Sequence, residues 1–65
     1  MAANVRLTKL SKVGSGLGLR IESGDAGYRV VDDSTGTFVA ADWAEPDGFG
    51  LTIDEVDAAI TAAGS

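Results

Sequence analysis

The glycine-rich run GSGLG at residues 14–18 is the first candidate for chemistry, because glycine-rich loops bind phosphate where they open a helix. Its glycines stand at positions 14, 16 and 18, which does not give the GxGxxG spacing, and no GK[ST] sequence follows. The residues after it alternate like a strand, whereas a phosphate loop should lead into a helix. We therefore predict a flexible joint here.

Carboxylates are the second candidate. The DDSTG segment at residues 32–36 begins like a calcium loop, but the twelfth position is Trp43, where a Glu ligand is required. The acids could also form a general acid/base pair. However, those at residues 54–57 lie at the start of a predicted helix, and Glu45 and Asp47 lie in a polar loop. We expect turn and capping roles for them.

The chain has no Cys and no His. Disulfides and the commonest structural zinc sites are therefore excluded, and so are nucleophilic mechanisms that use Cys or His. We predict that the protein is not an enzyme and has no catalytic residue, cofactor or metal site. No run resembles a signal peptide or a membrane span, so the cytoplasm is the expected location.

Charge is divided unevenly along a single domain of 65 residues with a net charge of −5. The first 20 residues hold no acid, and the rest hold all ten acids with Arg29 as the only base. A basic arm could bind nucleic acid, and its residues would be Arg6, Lys9, Lys12 and Arg20. We favour mutual neutralisation of arm and body, because phosphate binding by four bases would be weak.

Two β-prone runs, at residues 28–31 and 38–41, flank the turn at 32–36 and predict a hairpin. Alternation over residues 17–22 predicts a preceding strand, so residues 17–41 form an antiparallel meander. The register stays open between two loop lengths. A four-residue loop places four apolar residues on one face: Tyr28, Val30, Val39 and Ala41. A five-residue loop groups a different four: Tyr28, Val30, Phe38 and Ala40.

The meander is followed by a loop at residues 42–50 and a helix at residues 52–63, which Thr52 and Glu55 start as a capping box. Residues 1–4 show no pattern and are expected to be frayed. The rest of the basic segment, 1–13, fits a strand or a helix, and we favour an extended segment that adds an N-terminal strand. The predicted fold is an α+β domain, a three-stranded antiparallel β-meander with one C-terminal α-helix packed on one face.

The predicted core consists of seven residues: Leu19, Ile21, Tyr28, Val30, Leu51, Val56 and Ile60. Both sheet faces carry apolar side chains, and one helix covers only one of them. The second face needs the N-terminal segment, the loop or another chain, and we predict a homodimer, since so small a core is marginal. The candidate interaction residues are Trp43, Phe49, Val31, Phe38 and Val39. For Trp43 and Phe49 we favour a different role, in which both fold back over the sheet's open edge, because so small a core needs every large side chain.

The stretches YRVVDDSTGTFVAA, residues 28–41, and GLTIDEVDAAI, residues 50–60, resemble a recurring pattern in small uncharacterised proteins of actinobacteria and their phages. That resemblance implies a hairpin and a capped helix, and a role in docking on a host protein. Three strands before a helix also resemble the AP2-like DNA-binding domains of tyrosine integrases, which implies nucleic-acid binding through the sheet. Those sheets are rich in Lys and Arg, whereas only Arg20 and Arg29 stand in the predicted strands here.

Overall fold

The computed structural model describes residues 5–65, so the prediction for residues 1–4 lies outside the described part of the chain. Two helices and three strands follow one another in the order α1, β1, β2, β3 and α2. Their bounds are Val5–Gly16 for α1, Leu19–Gly24 for β1, Gly27–Asp32 for β2, Phe38–Ala40 for β3 and Ile53–Ala63 for α2.

The three strands form one antiparallel sheet in the order β1-β2-β3. A tight turn joins β1 to β2, and Gly27 enters β2 with a φ of 142°, a conformation that favours glycine. The second helix packs on this sheet. The predicted α+β meander with a C-terminal helix is therefore confirmed.

From Val5 onward the N-terminal segment is a helix, so the prediction of an extended segment and an extra strand there was wrong. Leu10 turns toward the core and is 9% exposed. Gly14 is also buried, and a Cβ at this position would lie 3.2 Å from Cδ1 of Ile60. Because glycine lets α1 approach Ile60 of α2 closely, helix packing overrides the weak helix propensity of the segment. The predicted joint is correspondingly short and consists of Leu17 and Gly18.

Both helices contribute to one core beside the sheet. Six buried side chains form it: Leu10, Leu19, Val30, Leu51, Val56 and Ile60. Of the seven residues that we predicted, five are buried, and Ile21 and Tyr28 pack against them while partly exposed. Leu10 was missed because α1 was expected to be extended.

The capping box at the start of α2 forms as the sequence indicates. Thr52 Oγ1 accepts a hydrogen bond of 3.1 Å from the Glu55 N–H, and Glu55 Oε1 accepts one of 2.9 Å from the Thr52 N–H. These two bonds satisfy backbone donors that the helix itself leaves without partners. The start of α2 is therefore fixed by local sequence.

The hairpin between β2 and β3 begins in the four-residue register and then departs from both registers that the sequence left open. A four-residue loop closes it, with the Asp32 N–H donating to the Thr37 carbonyl at 2.8 Å, and Val31 stands opposite Phe38. The register then shifts, so that Val30 stands opposite Ala40. This β-bulge places Ala40 on the helix-covered face while Phe38 stays with Val31 on the other face.

The second sheet face is covered by the loop at residues 42–50. Val31 is 2% exposed and Ala41 is 6% exposed. Gly24 leaves room for the ring of Phe49, since a Cβ at position 24 would lie 2.8 Å from Phe49 Cγ. We had considered the N-terminal segment, the loop or another chain as the element that covers this face, and the structure shows that it is the loop. A second copy of the chain is therefore not needed to cover this face, contrary to our expectation.

Candidate functional site

Arg29 organises the second sheet face. Its guanidinium carbon lies 4.7 Å from the ring centroid of Phe38 and 4.1 Å from that of Phe49. Its Nε and Nη2 donate to Oε1 of Glu22 at 2.7 and 2.6 Å, and its Nη1 donates to the carbonyl of Asp47. The side chain therefore joins β1, β2, β3 and the loop.

The ion pair with Arg29 also changes the pKa of Glu22. The pKa of Glu22 lies below its ordinary value, mainly because Arg29 donates a hydrogen bond to the ionised carboxylate, with a smaller effect from Arg20. Partial burial opposes the shift. Glu22 consequently stays ionised while it holds both arginines.

Trp43 stands at the edge of this loop and is 71% exposed. Its ring rests against Phe38, with 6.3 Å between the ring centroids and a 42° angle between the planes. Phe38 belongs to β3, an edge strand, so the indole projects at the β3 side of the sheet. One side of the ring is supported and the rest faces solvent.

Local hydrogen bonds hold the loop that carries Trp43. The Asp42 N–H donates to the Gly48 carbonyl at 2.9 Å, and Oδ1 of Asp42 accepts from the Ala44 N–H at 3.1 Å. At the other end, Oδ1 of Asp47 accepts from the Phe49 N–H at 3.0 Å. These bonds give the loop a defined shape before any partner binds.

The five predicted interaction residues divide by exposure. Trp43 and Val39 are exposed, Val39 at 42%. Phe38 and Phe49 are partly buried and stack on Arg29, and Val31 is buried, which removes it from any contact surface. The favoured expectation that both rings fold back thus holds for Phe49, whereas Trp43 is exposed.

Arg29 was not among the residues predicted to matter. One sequence feature could have identified it. Arg29 is the only basic residue after residue 20, and that stretch contains every aromatic residue of the chain. Cation–π pairing favours such a position, but only the folded chain brings the two rings together.

The basic residues of the N-terminal part do not form an open cationic surface. Arg6 bridges Asp54 and Asp57 of α2 at 2.7 Å each, and Arg20 bridges Glu22 and Asp33 at 3.0 and 2.7 Å. Both arginines have a raised pKa, mainly from a carboxylate hydrogen bond: Asp57 for Arg6 and Asp33 for Arg20.

Lys9 and Lys12 are exposed on α1, and neither forms an ion pair within residues 5–65. The arrangement matches the neutralisation of arm and body that we favoured. It leaves two of the four predicted nucleic-acid-binding side chains without a carboxylate partner in the described chain.

Other sites are sparse in the part of the chain that the structure describes. Residues 5–65 contain no cluster of acids that could hold a metal ion. No helix among them has the length and apolar character needed to cross a bilayer. A groove of about 270 Å³ lies between α1 and β1, lined by Ser11, Ser15, Leu19, Arg20, Ile21 and Asp33.

Comparison with known proteins adds no relative: no family model, curated protein or solved structure matches this chain. What the surface around Trp43 does must be inferred from its own geometry and charge.

Proposed function

We propose that this chain is a small, cytoplasmic, non-enzymatic protein-binding module that contacts its partner through Trp43. The observation that carries the proposal is the 71% exposure of the only Trp in a 65-residue chain. A domain of this size needs its large apolar side chains in the core. Tryptophan outside the core is instead typical of the residues that dominate protein interfaces.

The presentation of the indole supports the same conclusion. Phe38 supports the ring from one side, and Arg29 and the backbone bonds around Asp42 hold the loop. A side chain that is already positioned loses less conformational entropy when it binds. A rigid loop that exposes a Trp therefore suits recognition of a partner.

The charge around Trp43 indicates the chemistry of that partner. Three acids share its loop: Asp42, Glu45 and Asp47. We infer a protein partner with an apolar pocket for the indole and Lys or Arg residues at its rim. The resemblance to actinobacterial phage proteins would make this partner a host protein.

The proposal can be tested by capturing partners from lysate of the native host with immobilised protein. The parent and the Trp43→Ala variant are compared by quantitative mass spectrometry. Val13→Ala is the matched control, because it shortens an apolar side chain that is 53% exposed on α1. We expect one protein to be enriched by the parent and by Val13→Ala and lost with Trp43→Ala. A partner that Trp43→Ala retains in full would remove the basis of the proposal.

Because the chain has one Trp, its fluorescence gives a second readout with the purified partner. Burial of the indole is expected to shift the emission to shorter wavelength as the complex forms. Emission that stays unchanged in a saturated complex would show that Trp43 is outside the interface.

Nucleic-acid binding through the basic segment is the alternative that these experiments must exclude. It predicts an affinity that falls steeply with salt and that disappears in a Lys9→Ala/Lys12→Ala variant. We expect no such binding, since Arg6 and Arg20 are held by carboxylates.

A further inference from the structure

The two edges of the sheet differ in how they are protected. β3 has three residues and a bulge beside it, which are features that discourage pairing with another strand. β1 has six residues, contains no Pro, and pairs with β2 without a register shift from Leu19 to Gly24. β1 is therefore the edge that a further strand could extend.

The hydrogen bonds of β1 show which backbone groups face outward. The Asp33 N–H donates to the Gly18 carbonyl at 2.9 Å, so Gly18 belongs to a hydrogen-bonded position of the ladder with β2. Because such positions alternate along an antiparallel strand, Arg20 and Glu22 also bond toward β2. The N–H and C=O groups of the intervening residues point away from the sheet: Leu19, Ile21 and Ser23.

These outward groups have no partner in the turns, loops and helices of residues 5–65. The groove between α1 and β1 borders the same edge and is lined in part by Ser11 and Ile21. At the start of this edge Leu19 is 9% exposed, and a Cβ on Gly14 of α1 would lie 3.7 Å from its carbonyl oxygen. Ile21 is partly exposed and Ser23 is exposed, so the accessible part of the β1 edge begins at Ile21.

We propose that a second copy of this chain pairs with β1 across a two-fold axis, antiparallel, with Ile21 opposite Ile21. The two three-stranded sheets would then form one continuous sheet. In this register the two Ile21 residues exchange backbone hydrogen bonds, and Ser23 of each copy stands opposite Leu19 of the other.

Charge selects this register. Arg20 of each copy stands directly opposite Glu22 of the other, and opposite charges at facing positions stabilise a strand pair. A register centred on Arg20 would oppose the two Arg20 side chains, and one centred on Glu22 would oppose the two Glu22 side chains. Like charges at facing positions destabilise pairing. When two copies of the sequence Arg20-Ile21-Glu22 run antiparallel with Ile21 at the centre, each Arg20 therefore faces a Glu22.

This inference does not depend on the proposed function of Trp43. The β1 edge is separated from the indole by the width of the sheet, since Trp43 contacts Phe38 of β3. A dimer formed through β1 would therefore carry one Trp43 surface at each end. A dimer with two Trp43 surfaces binds more tightly to a partner that offers two copies of the matching site.

Sedimentation equilibrium between about 10 µM and about 1 mM tests the association. The parent, 6.6 kDa as a monomer, is expected to approach twice that mass as concentration rises. Arg20→Glu places Glu opposite Glu22 twice in each dimer, and the dissociation constant should rise about tenfold or more. Lys9→Glu changes the net charge by the same amount on α1 and should associate like the parent.

Ser23→Pro is a second variant that acts on the backbone. It removes an outward N–H and keeps the bonds that Glu22 makes to β2, so dimerisation should weaken while circular dichroism stays that of the parent. Ser23→Ala keeps the N–H and should dimerise normally. If Ser23→Pro proves to be unfolded, amide protection in the parent protein still decides the outcome, because that measurement needs no substitution.

Amide hydrogen exchange identifies the surface directly. Ile21 and Ser23 are expected to gain protection in concentrated samples only, whereas Arg20 and Glu22 should be protected at every concentration. A parent that stays monomeric up to about 1 mM would overturn the proposal. So would a dimer that forms equally well with Arg20→Glu, or one whose new protection lies at β3.

Discussion

The guanidinium of Arg29 stacks on the ring of Phe49, with its carbon 4.1 Å from the ring centroid. Arg29 belongs to β2 and Phe49 to the loop at residues 42–50, so this contact holds the loop against the sheet. The same guanidinium is bonded by Glu22 of β1, and the arginine side chain is only 21% exposed. Arg29 thus holds the loop over the sheet face that lies opposite the helices.

Arg29→Ala is expected to lower the free energy of unfolding by about 2 kcal/mol, because it removes a partly buried ion pair and two aromatic contacts. Urea denaturation measures the change. Arg29→Lys should recover only part of the loss, since an ammonium cannot stack between two rings while bonding Glu22 at two nitrogens.

Arg20→Ala is the control for that experiment. Arg20 also bonds Glu22, but its side chain is 45% exposed, so its removal should cost much less. Equal losses for the two variants would show that stacking on the rings contributes little.

Stability should fall as the solution becomes acidic. The pKa values of Glu22 and Asp57 are lowered in the folded chain, mainly by hydrogen bonds from Arg29 and Arg6 respectively. A lowered pKa in the folded state gives stability that is present above the unfolded pKa, which is 4.5 for Glu and 3.8 for Asp, and is lost as the pH falls through the folded value.

Urea denaturation at steps from about pH 7 to about pH 3 tests this dependence. Glu22→Gln should be less stable than the parent at neutral pH and should lose less on acidification, because its contribution is already gone. Glu45→Gln changes an exposed loop acid and should follow the parent curve. A Glu22→Gln curve parallel to that of the parent would contradict the assignment.

Gly14→Val is expected to destabilise the protein by about 1–3 kcal/mol. A Cβ at this position already lies 3.2 Å from Cδ1 of Ile60, and the further methyl groups would push α1 away from α2. Thermal unfolding measures the effect.

The control is Gly16→Ala, in the last turn of the same helix. A Cβ there meets nothing within 4 Å, so the higher helix propensity of alanine should leave stability unchanged or raise it by up to about 1 kcal/mol. If both glycines tolerate larger side chains equally, the close contact between the helices is not required.

Thr52→Ala is expected to cost about 1 kcal/mol, because the variant loses the hydroxyl that caps α2. Urea denaturation again measures the loss. Thr8→Ala removes an exposed hydroxyl from the body of α1 and should change stability by less than about 0.5 kcal/mol. A similar loss in both variants would indicate a general effect of threonine removal.

Patterns that act over a few residues were read correctly from the sequence. The turn at residues 32–36 and the box formed by Thr52 and Glu55 are made by neighbouring side chains and backbone, so no distant contact is needed. Alternation over residues 17–22 predicted the burial of Leu19 correctly, but β1 begins at Leu19, and Leu17 is 41% exposed.

Features that depend on distant residues were missed. The segment at residues 5–13 was compatible with strand and helix, and it became a helix because Leu10 and Gly14 pack against residues of β1 and α2. The bulge that separates Phe38 from Ala40 likewise gives a pairing, Val30 opposite Ala40, that neither of the two predicted registers contains.

The sequence alone determined the order of the strands and the C-terminal helix, because turn and cap chemistry is local. Only the tertiary structure decided how the second face is closed and which surface stays open. Arg29 reaches Phe38 and Phe49 through folding, and Trp43 stays exposed because the other large apolar side chains of the loop and sheet pack against each other.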